Sequence, residues 1–495
     1  MAARRLLVPR GDGRPGGRRC ARAAGSAGSA GAVVAGVAAL LLVAACSAGA
    51  PGSAGAAASS PGGSSSSASP PTGPGPAVGT TDWPTYHRTE DRAGTVTGVG
   101  PPSALRPGWQ ARLDGAVYGQ PLVIGDLVVA ATEGNSVYGL VLADGRVRWR
   151  AQLGAPVPRD RLPCGNIDPL GITGTPAYDA ATGTVFAVPE TAGGRHDLVA
   201  LDVRDGRVRF RRNLDVVGRD PSAHQQRGAL AVAGGRVYVS FGGLFGDCGD
   251  YVGYVTATSV RGDGPTTHYE VPTRREGGIW AASGVAVDAA GDVWVAVGNG
   301  AGTGDLYDGS DSVLRLSADL SRRLDFFAPA DWGSQNAEDA DLGTTGPVLL
   351  GGDRVAVSGK SGEVDLLDTR RLGGIGGGLA SVGGCRGFGG MAWDASQSAL
   401  FVPCDGGTRR FDVGRAALTP GWQAAPNING TPVAGGGAVW VLDASAGRLY
   451  VLDERTGRTL ASADTGPASR FASVVPVPGR VLVPTLTGGV ALVHG

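Results

Sequence analysis

The sequence predicts an all-β protein, an eight-bladed β-propeller of four-stranded antiparallel blades. Short runs that alternate apolar and polar residues, separated by Gly-rich turns, fill most of the chain. One short opening motif recurs eight times, and no convincing helical period competes with the strand pattern. Eight similar sheets, each with too little core to stand alone, are expected to pack around a ring.

The repeating unit is clearest at residues 122–153. Residues 122–132, LVIGDLVVAAT, are typical of a hairpin that turns at Gly125-Asp126, and residues 137–153, VYGLVLADGRVRWRAQL, of a second that turns at Asp144-Gly145. Two hairpins in tandem predict a four-stranded meander. Such a sheet must stack against copies of itself to bury its apolar faces.

The opening of this unit, Gly119-Gln120-Pro121, has counterparts at a spacing of roughly 40 to 60 residues. The eight openings lie at residues 119–121, 174–176, 227–229, 283–285, 345–347, 389–391, 430–432 and 472–474. The longer intervals indicate loop insertions in some blades.

The last unit predicts how the ring closes. Residues 473–495 contain only three strand-like runs, whereas residues 107–113, PGWQARL, carry the Trp-x-x-x-Leu ending found in the outer strand at 149–153. We expect this N-terminal strand to complete the last blade, because closure removes exposed sheet edges.

The N-terminal region predicts export. Residues 32–45 form an apolar run of 14 after an Arg-rich stretch, which is too short to span a bilayer and typical of a signal-peptide core. Val43-Ala44-Ala45-Cys46 resembles a bacterial lipobox and predicts lipidation at Cys46. The predicted regions are a lipoprotein signal peptide at 1–45, a flexible Ser/Gly/Ala/Pro-rich linker at 46–80, a lead-in segment at 81–106 and the propeller at 107–495.

The net charge and the predicted localisation limit the classes of partner that the protein is expected to bind. Without the seven arginines of residues 1–45, the remaining chain carries a net negative charge, which argues against a nucleic-acid partner. We expect a monomer that is lipid-anchored to the outer face of the cytoplasmic membrane. Its expected partners are the membrane, through the anchor, and a protein or another envelope component.

Four cysteines beyond Cys46 predict two disulfides in an exported protein. In an up-and-down meander, the connectors that lead into the blades share one face of the ring with the turns between the second and third strands. Cys164 and Cys385 lie in such connectors, and Cys248 and Cys404 in such turns. This placement predicts the pairs Cys164–Cys248 and Cys385–Cys404.

The same face is expected to collect the unusual polar residues, which marks it as a binding face. They are Asn166, Asp168, His224, Gln225, Gln226, Arg227, Asp247, Asp250, Glu276, Asn299, Asp305, Asp308, Asp311, Glu338, Asp339, Asp341 and Lys360. Lys360 is the only lysine in the sequence. We expect it to lie at the channel mouth and to pair with Asp339 or Asp341. The alternative for any single Asp is an ordinary turn hydrogen bond.

The repeat LVALDVRDGRVRF at residues 198–210, with its relatives, resembles the pyrroloquinoline-quinone-binding-like propeller repeat. That superfamily includes quinoprotein alcohol dehydrogenases and non-enzymatic lipoproteins such as the outer-membrane-protein assembly factor. The resemblance covers residues 82–495, and it is specific for the fold rather than the function.

A finer resemblance implies site residues for a dehydrogenase. Asp339 or Asp341 falls in the segment that carries the catalytic aspartate, and Asn299 falls where a calcium ligand is expected. Lys360 falls where a basic side chain contacts the quinone, and Trp280 near the tryptophan on which the quinone stacks. Pyrroloquinoline quinone and calcium are the cofactors implied.

Two departures from the family favour a non-enzymatic function. Dehydrogenases often place two adjacent cysteines against the quinone, whereas Cys164 stands alone here. The calcium-binding glutamate is unmatched: Cys248 or a neighbouring Asp falls near its place, and a disulfide-bonded Cys248 is no ligand for a hard cation. We expect an exported lipoprotein whose propeller is a binding or scaffold module. The alternative is a quinone- and calcium-dependent alcohol or sugar dehydrogenase.

Overall fold

The structure is a computed structural model that describes residues 74–304 and 306–495; the predicted signal peptide, Cys46 and most of the predicted linker lie outside the described residues. Eight antiparallel sheets follow one another along the chain, as the sequence predicts. Among the described residues, helix is confined to one α-helix, Trp332–Ala337, and three short 3-10 turns, Arg159–Arg161, Pro221–Ala223 and Leu342–Thr344. None of these helices is long and apolar enough to cross a membrane.

Blades 1 to 4 are numbered in chain order, and their strands run from the first, innermost strand to the outer one. Blade 1 comprises Leu122–Ile124, Leu127–Ala131, Ser136–Val141 and Val147–Gln152; blade 2, Ala177–Asp179, Thr184–Ala187, Arg195–Asp202 and Val208–Asn213; blade 3, Ala231–Ala233, Arg236–Gly243, Tyr254–Ser259 and Thr267–Glu270; blade 4, Ala286–Val287, Val293–Val297, Ser312–Leu316 and Arg323–Ala328.

Blades 5 to 8 follow the same order. Blade 5 comprises Val348–Gly351, Arg354–Ser358, Val364–Asp368 and Ala380–Val382; blade 6, Ala392–Asp394, Ala399–Cys404, Gly407–Val413 and Leu418–Gln423; blade 7, Val433–Gly435, Ala438–Asp443, Arg448–Asp453 and Thr459–Asp464; blade 8, Val475–Val477, Arg480–Thr485, Gly489–His494 and Arg106–Arg112.

Three short strands extend the regular pattern. Glu190–Thr191 pairs with the third strand of blade 2, and His224–Gln225 pairs with the second strand of blade 3. Gly374–Ile375 lies parallel to the outer strand of blade 4, although the chain has already formed three strands of blade 5. This short strand lies between the third and fourth strands of blade 5 in sequence.

Closure occurs as the sequence predicts. Arg106–Arg112 pairs antiparallel with Gly489–His494 and becomes the outer strand of blade 8. The N-terminal and C-terminal parts of the propeller are therefore joined by a hydrogen-bonded sheet. No edge remains where the ring closes.

Burial follows strand position. The second strands of blades 1 and 4, Leu127–Ala131 and Val293–Val297, are buried along their whole length because neighbouring blades cover both faces. The outer strand Val147–Gln152 alternates, with Trp149 and Ala151 buried and its arginines exposed. This difference in burial explains why middle strands are nearly continuous apolar runs and outer strands are amphipathic.

Tryptophans on the outer strands of blades 1, 6 and 8 join these blades to the next. The indole N–H of Trp149 in blade 1 donates to the Val203 carbonyl of blade 2 at 3.0 Å. Trp422 and Trp109 make the same contact, to Glu454 and to Leu142, also at 3.0 Å. Each ring lies over the turn glycine of the next blade, which is Gly206, Gly457 or Gly145 respectively. The recurring turn glycines thus make room for an indole.

The lead-in segment closes one end of the central channel. Between Asp82 and Val96 its backbone hydrogen-bonds to the first strands of blades around the ring, including Val123, Tyr178, Val287 and Ala434. Its Trp83 indole also donates to the Pro476 carbonyl of blade 8. These partners lie toward the first-turn ends of the blades, so the segment, called the plug below, seals the face opposite to the predicted binding face.

Both predicted disulfides are present, Cys164–Cys248 and Cys385–Cys404. The first joins segments 84 residues apart and the second segments 19 residues apart. Closing such loops restricts the unfolded chain, which is how disulfides stabilise folded proteins.

Candidate functional site

A cavity of about 400 Å³ lies at the open end of the channel. Its walls come from the connectors that lead into several blades and from the second turns of blades 3, 4 and 5, as the strand polarity predicts. The lining residues include Asn166, Arg227, Asp247, Tyr251, Trp280, Asn299, Asp339, Asp341, Lys360, Phe388, Arg470 and Phe471. We call it the mouth pocket. All five side chains to which the family resemblance gives a role line it.

The connector into blade 5 brings two carboxylates into the mouth pocket. The α-helix Trp332–Ala337 ends just before Asp339, whose left-handed backbone (φ +53°) turns the chain. The Asp339 side chain stays largely exposed, whereas that of Asp341 is only 3% exposed. The sequence did not predict this helix, because six residues are too few for a helical period to show.

Lys360 lies between these two carboxylates. Its ammonium is 2.6 Å from Asp339 Oδ1 and 2.5 Å from Asp341 Oδ2, and its side chain is 18% exposed. Gly359 allows this approach, since a Cβ there would lie 2.5 Å from the Asp341 carbonyl oxygen. That oxygen instead accepts the Lys360 backbone N–H at 2.7 Å. Lys360 thus pairs with both acids at the channel mouth, as predicted.

Burial and charge act in opposite directions on this cluster. Burial would lower the pKa of Lys360, but the Asp341 and Asp339 carboxylates outweigh burial and raise it, so the lysine stays an ammonium. Burial raises the pKa of Asp341, although the Lys360 ammonium opposes the shift. Burial also raises the pKa of neighbouring Asp311 to about 8, so Asp311 is mostly protonated at neutral pH and adds little negative charge.

Asn299 and Trp280 complete the group. The Asn299 backbone N–H donates to Asp341 Oδ1 at 2.7 Å, and its side-chain amide lies 3.4 Å from Glu276 Oε2. The Trp280 ring centre is 6.0 Å from the Lys360 ammonium. A flat aromatic wall therefore adjoins an ion pair, an arrangement that suits a ligand with both apolar and polar groups.

Aromatic and cationic side chains of other connectors form the opposite wall. Phe471 meets Trp280 edge to face, with ring centres 6.3 Å apart, and the Arg227 guanidinium lies 4.5 Å from the Phe471 ring centre. Arg470 lies 4.0 Å from the Phe388 ring centre and 2.7 Å from Asp405. The sequence analysis gave no role to Phe388, Arg470 or Phe471. Their position in the repeat could have indicated a role in the site: Arg470-Phe471 immediately precedes the eighth opening motif, and Arg227 begins the third.

Calcium does not fit the site that the resemblance implies. Calcium takes six to eight oxygen ligands, whereas Asp339 and Asp341 already neutralise an ammonium and Cys248 is bonded to Cys164. In the part of the chain that the structure describes, no group of three or more His, Cys, Asp or Glu side chains is placed to hold a metal ion. Asn299, the predicted metal ligand, therefore has no metal site around it.

The quinone site is matched only in part. Trp280 and Lys360 line one pocket, as the resemblance implies. The pair of adjacent cysteines is replaced by Cys164–Cys248, which joins two loops that form the wall of the pocket at Asn166 and at residues 243–247. Aromatic and cationic contacts for a flat anionic molecule are present, but the calcium that would polarise it has no site.

The comparisons with known proteins agree with this mixed picture. A family profile described as outer membrane protein assembly factor BamB matches residues 64–244. A search of curated proteins found no match to the sequence. The eight-bladed fold and this match support a resemblance to PQQ-like β-propellers. The profile match itself spans only residues 64–244.

Solved structures of PQQ-like propellers share the fold at low sequence identity. The quinohemoprotein alcohol dehydrogenase from Comamonas testosteroni superposes with a TM-score of 0.65 at 16% identity, over 84% of this chain and 80% of that one. A europium-containing methanol dehydrogenase gives 0.64 at 14% identity, over 83% and 98%. BamB from Moraxella catarrhalis gives 0.54 at 15% identity, over 79% and 98%. The likeness to these three proteins is one of fold, which two dehydrogenases and an assembly factor share.

Proposed function

We propose that this PQQ-like propeller is an exported lipoprotein, anchored through Cys46 to the outer face of the cytoplasmic membrane. On this proposal its mouth pocket binds a protein or another component of the envelope. Two disulfides and the relation to BamB are compatible with an envelope or exported protein. A plug that closes the other end of the channel favours a receptor pocket with one opening over a through-channel.

The ion pair of Lys360 is the observation that favours a binding function over a dehydrogenase. A dehydrogenase of this family needs an aspartate free to accept a proton and oxygen ligands free to hold calcium. Here Lys360 contacts both candidate bases, and Asp341 also accepts the Asn299 N–H. The acids therefore serve to hold Lys360 in place, and the pocket keeps the shape of a cofactor site without its reactive groups.

Membrane anchoring is tested by fractionation of cells that express the full chain or its C46S variant. We expect the full chain in the membrane fraction with a lipid-bearing Cys46 in its mass spectrum, and C46S without lipid. A wild-type product that is soluble and starts at another residue would contradict the anchor.

Binding at the mouth is tested by photo-crosslinking in the envelope. A photoreactive phenylalanine at Phe245, which is 65% exposed and lines the mouth pocket, should capture the partner. The same probe at Val147, which is 46% exposed near the plugged end of blade 1, is the matched control. Equal capture at both positions would argue against the mouth pocket as the binding site.

The enzymatic alternative has its own test. Purified protein is incubated with pyrroloquinoline quinone and calcium, desalted, and examined for quinone absorbance and for dye-linked oxidation of alcohols and sugars. We expect no calcium-dependent oxidation, because Lys360 holds both acids. Oxidation that needs both additions would overturn the proposed binding function.

A further inference from the structure

Three cations line the mouth pocket, but only one has no carboxylate partner among the described residues. Lys360 is neutralised by Asp339 and Asp341. Arg470 lies 2.7 Å from Asp405. Arg227 forms no side-chain hydrogen bond or ion pair with any described residue, and its guanidinium lies 4.5 Å from the centre of the Phe471 ring. An arginine side chain carries five N–H donors, and those of Arg227 are available to a ligand.

The surroundings of Arg227 keep it charged and unsatisfied. It is half-buried and also lines a small inner cavity, next to Tyr86 of the plug, so it lies between the mouth pocket and the channel floor. Burial lowers the pKa of Arg227, yet a guanidinium remains protonated in proteins. The nitrogens of Arg227 have no hydrogen-bond partner among the described residues, yet they are not fully buried. They face the space of the pocket, where an anion can accept their hydrogen bonds.

The nearest acid does not supply that anion. Glu133 influences Arg227 only through space. Its two oxygens accept the Gly171 N–H at 2.6 Å and the Thr173 hydroxyl at 2.8 Å. Burial raises the pKa of Glu133 to about 7, so a large part of it is uncharged at neutral pH. Arg227 thus presents a net positive charge to the pocket.

We propose that Arg227 is a carboxylate-binding subsite at the inner end of the mouth pocket, for ligands whose carboxylate is attached to a flat apolar group. The apolar group packs against the aromatic wall that Phe471 and Trp280 form together, while Arg227 receives the carboxylate in the bidentate geometry that guanidinium favours. This inference rests on the proposed binding function and names the chemistry of its ligand. The carboxylate belongs to a small molecule or to the C-terminus of a peptide.

Paired probes test the subsite by calorimetry on the full chain. The first pair is 2-naphthoate and 2-naphthamide, and the second is the peptide Ala-Ala-Phe with a free or an amidated C-terminus. We expect the acid of at least one pair to bind about tenfold or more tightly than its amide, the effect of one charge-assisted hydrogen bond. Which pair shows the difference identifies the source of the carboxylate. Inorganic phosphate should bind weakly, since it has no apolar group.

Variants assign the effect to Arg227. R227Q should lose about tenfold or more of its affinity for the acid and little for the amide. R370Q, the matched loss of a cation that already has a carboxylate partner and does not line the mouth pocket, should stay within about threefold of the wild type. R227K should bind better than R227Q, and thermal melting checks that each variant is folded.

Several outcomes overturn the proposal. Equal binding of acid and amide, an unchanged R227Q affinity, or no binding of any probe at millimolar concentration would each do so. A loss of affinity for the acid in K360M that R227Q does not share would also overturn the proposal. None of these outcomes affects membrane anchoring or crosslinking at Phe245, whereas quinone-dependent oxidation would overturn the proposed function without involving Arg227.

Discussion

A single residue, Lys360, changes what the mouth pocket can do. The fold and the positions of Trp280, Asp339 and Asp341 match those implied by the resemblance to a dehydrogenase site. An ammonium lies within hydrogen-bond distance of both acids, and the proposed binding function rests on this contact. The same ion pair also balances the lysine's charge, which is why Arg227, and not Lys360, is available to an anion.

A second buried charge cluster lies inside blade 2 and concerns stability. His196 is fully buried, with Nδ1 3.0 Å from Asp215 Oδ1 and Nε2 3.3 Å from Glu190 Oε2. Burial would lower the pKa of His196, but the hydrogen bonds and charges of Asp215 and Glu190 outweigh burial and raise it to about 9. Both ring nitrogens therefore donate, and the ring is an imidazolium at neutral pH.

This cluster predicts a stability that depends on pH. Because the folded pKa of His196 lies above its unfolded value of about 6.5, the stabilisation is complete below pH 6.5 and is lost as the pH rises through about 9. The raised pKa of His196 contributes on the order of 3 kcal/mol to the free energy of unfolding below pH 6.5. Urea unfolding of the wild type and H196Q between pH 6 and 9.5 measures it.

H196Q keeps a side chain of similar size that does not titrate. We expect it to be less stable than the wild type at pH 6.5, with a difference that shrinks toward pH 9.5. Replacement of the exposed His268 by Gln is the control, since His268 is on an outer strand. A stability difference between H196Q and wild type that is constant with pH would contradict the imidazolium assignment.

At the scale of elements, the contact between an outer-strand tryptophan and the next blade's turn links neighbouring blades. Gly206 adopts a φ of +72°, and a Cβ on it would lie 2.5 Å from the Trp149 ring. Gly193 has a similar φ of +78° but no atom within 4 Å of its Cβ position. The two glycines therefore separate the cost of backbone conformation from the cost of a steric clash.

The substitution G206A should destabilise the protein more than G193A. Both variants force alanine into the left-handed region at about 1–2 kcal/mol. G206A also displaces Trp149 and its hydrogen bond to Val203, which adds about 1–3 kcal/mol of overpacking. Equilibrium denaturation of the two variants measures the difference. Equal destabilisation would show that the indole contact contributes little.

The elements also show what could be predicted from sequence. In blades with short turns, such as blades 1 and 7, the strands form where the sequence predicts them. The alternation of apolar and polar residues in their outer strands matches the alternation of buried and more exposed side chains. The helix Trp332–Ala337 and the strand Gly374–Ile375 were not predicted. Both lie in insertions whose conformation depends on contacts with other blades, which leave no local pattern in the sequence.

At the scale of the whole molecule, the ring brings together residues that are far apart in sequence. Strand polarity predicted that Asn299, Asp339, Asp341 and Lys360 share one face, and the mouth pocket contains all four, together with Trp280. The pairing of charges could not be predicted, since it depends on distances of a few ångströms between loops. The role of the lead-in segment could not be predicted either, because it hydrogen-bonds to strands that are distant in sequence, and such contacts leave no local pattern.

The plug is held at the channel axis by Arg92, which is fully buried. Its guanidinium donates to the carbonyls of Leu230 in blade 3 and Val285 in blade 4, at 3.0 and 2.8 Å. It also donates to Thr85 and Tyr86 within the plug. One side chain thereby fixes the fold of the plug and ties it to two blades.

Replacement of Arg92 by Met should destabilise the whole propeller. The side chain keeps much of its volume, but the Val285 carbonyl loses the Arg92 donor and the Leu230 carbonyl keeps only the Thr85 hydroxyl. The nearby Glu90 carboxylate loses its counter-charge. Breaking a buried charged contact on one side costs about 3–5 kcal/mol. Because the plug hydrogen-bonds to blades around the ring, we expect a lower denaturation midpoint with an unchanged slope. R207M, which removes a mostly exposed arginine beside Asp205, should change stability by less than about 0.5 kcal/mol. A midpoint for R92M close to that of R207M, or a separate early transition confined to the plug, would show that the ring is stable without this contact.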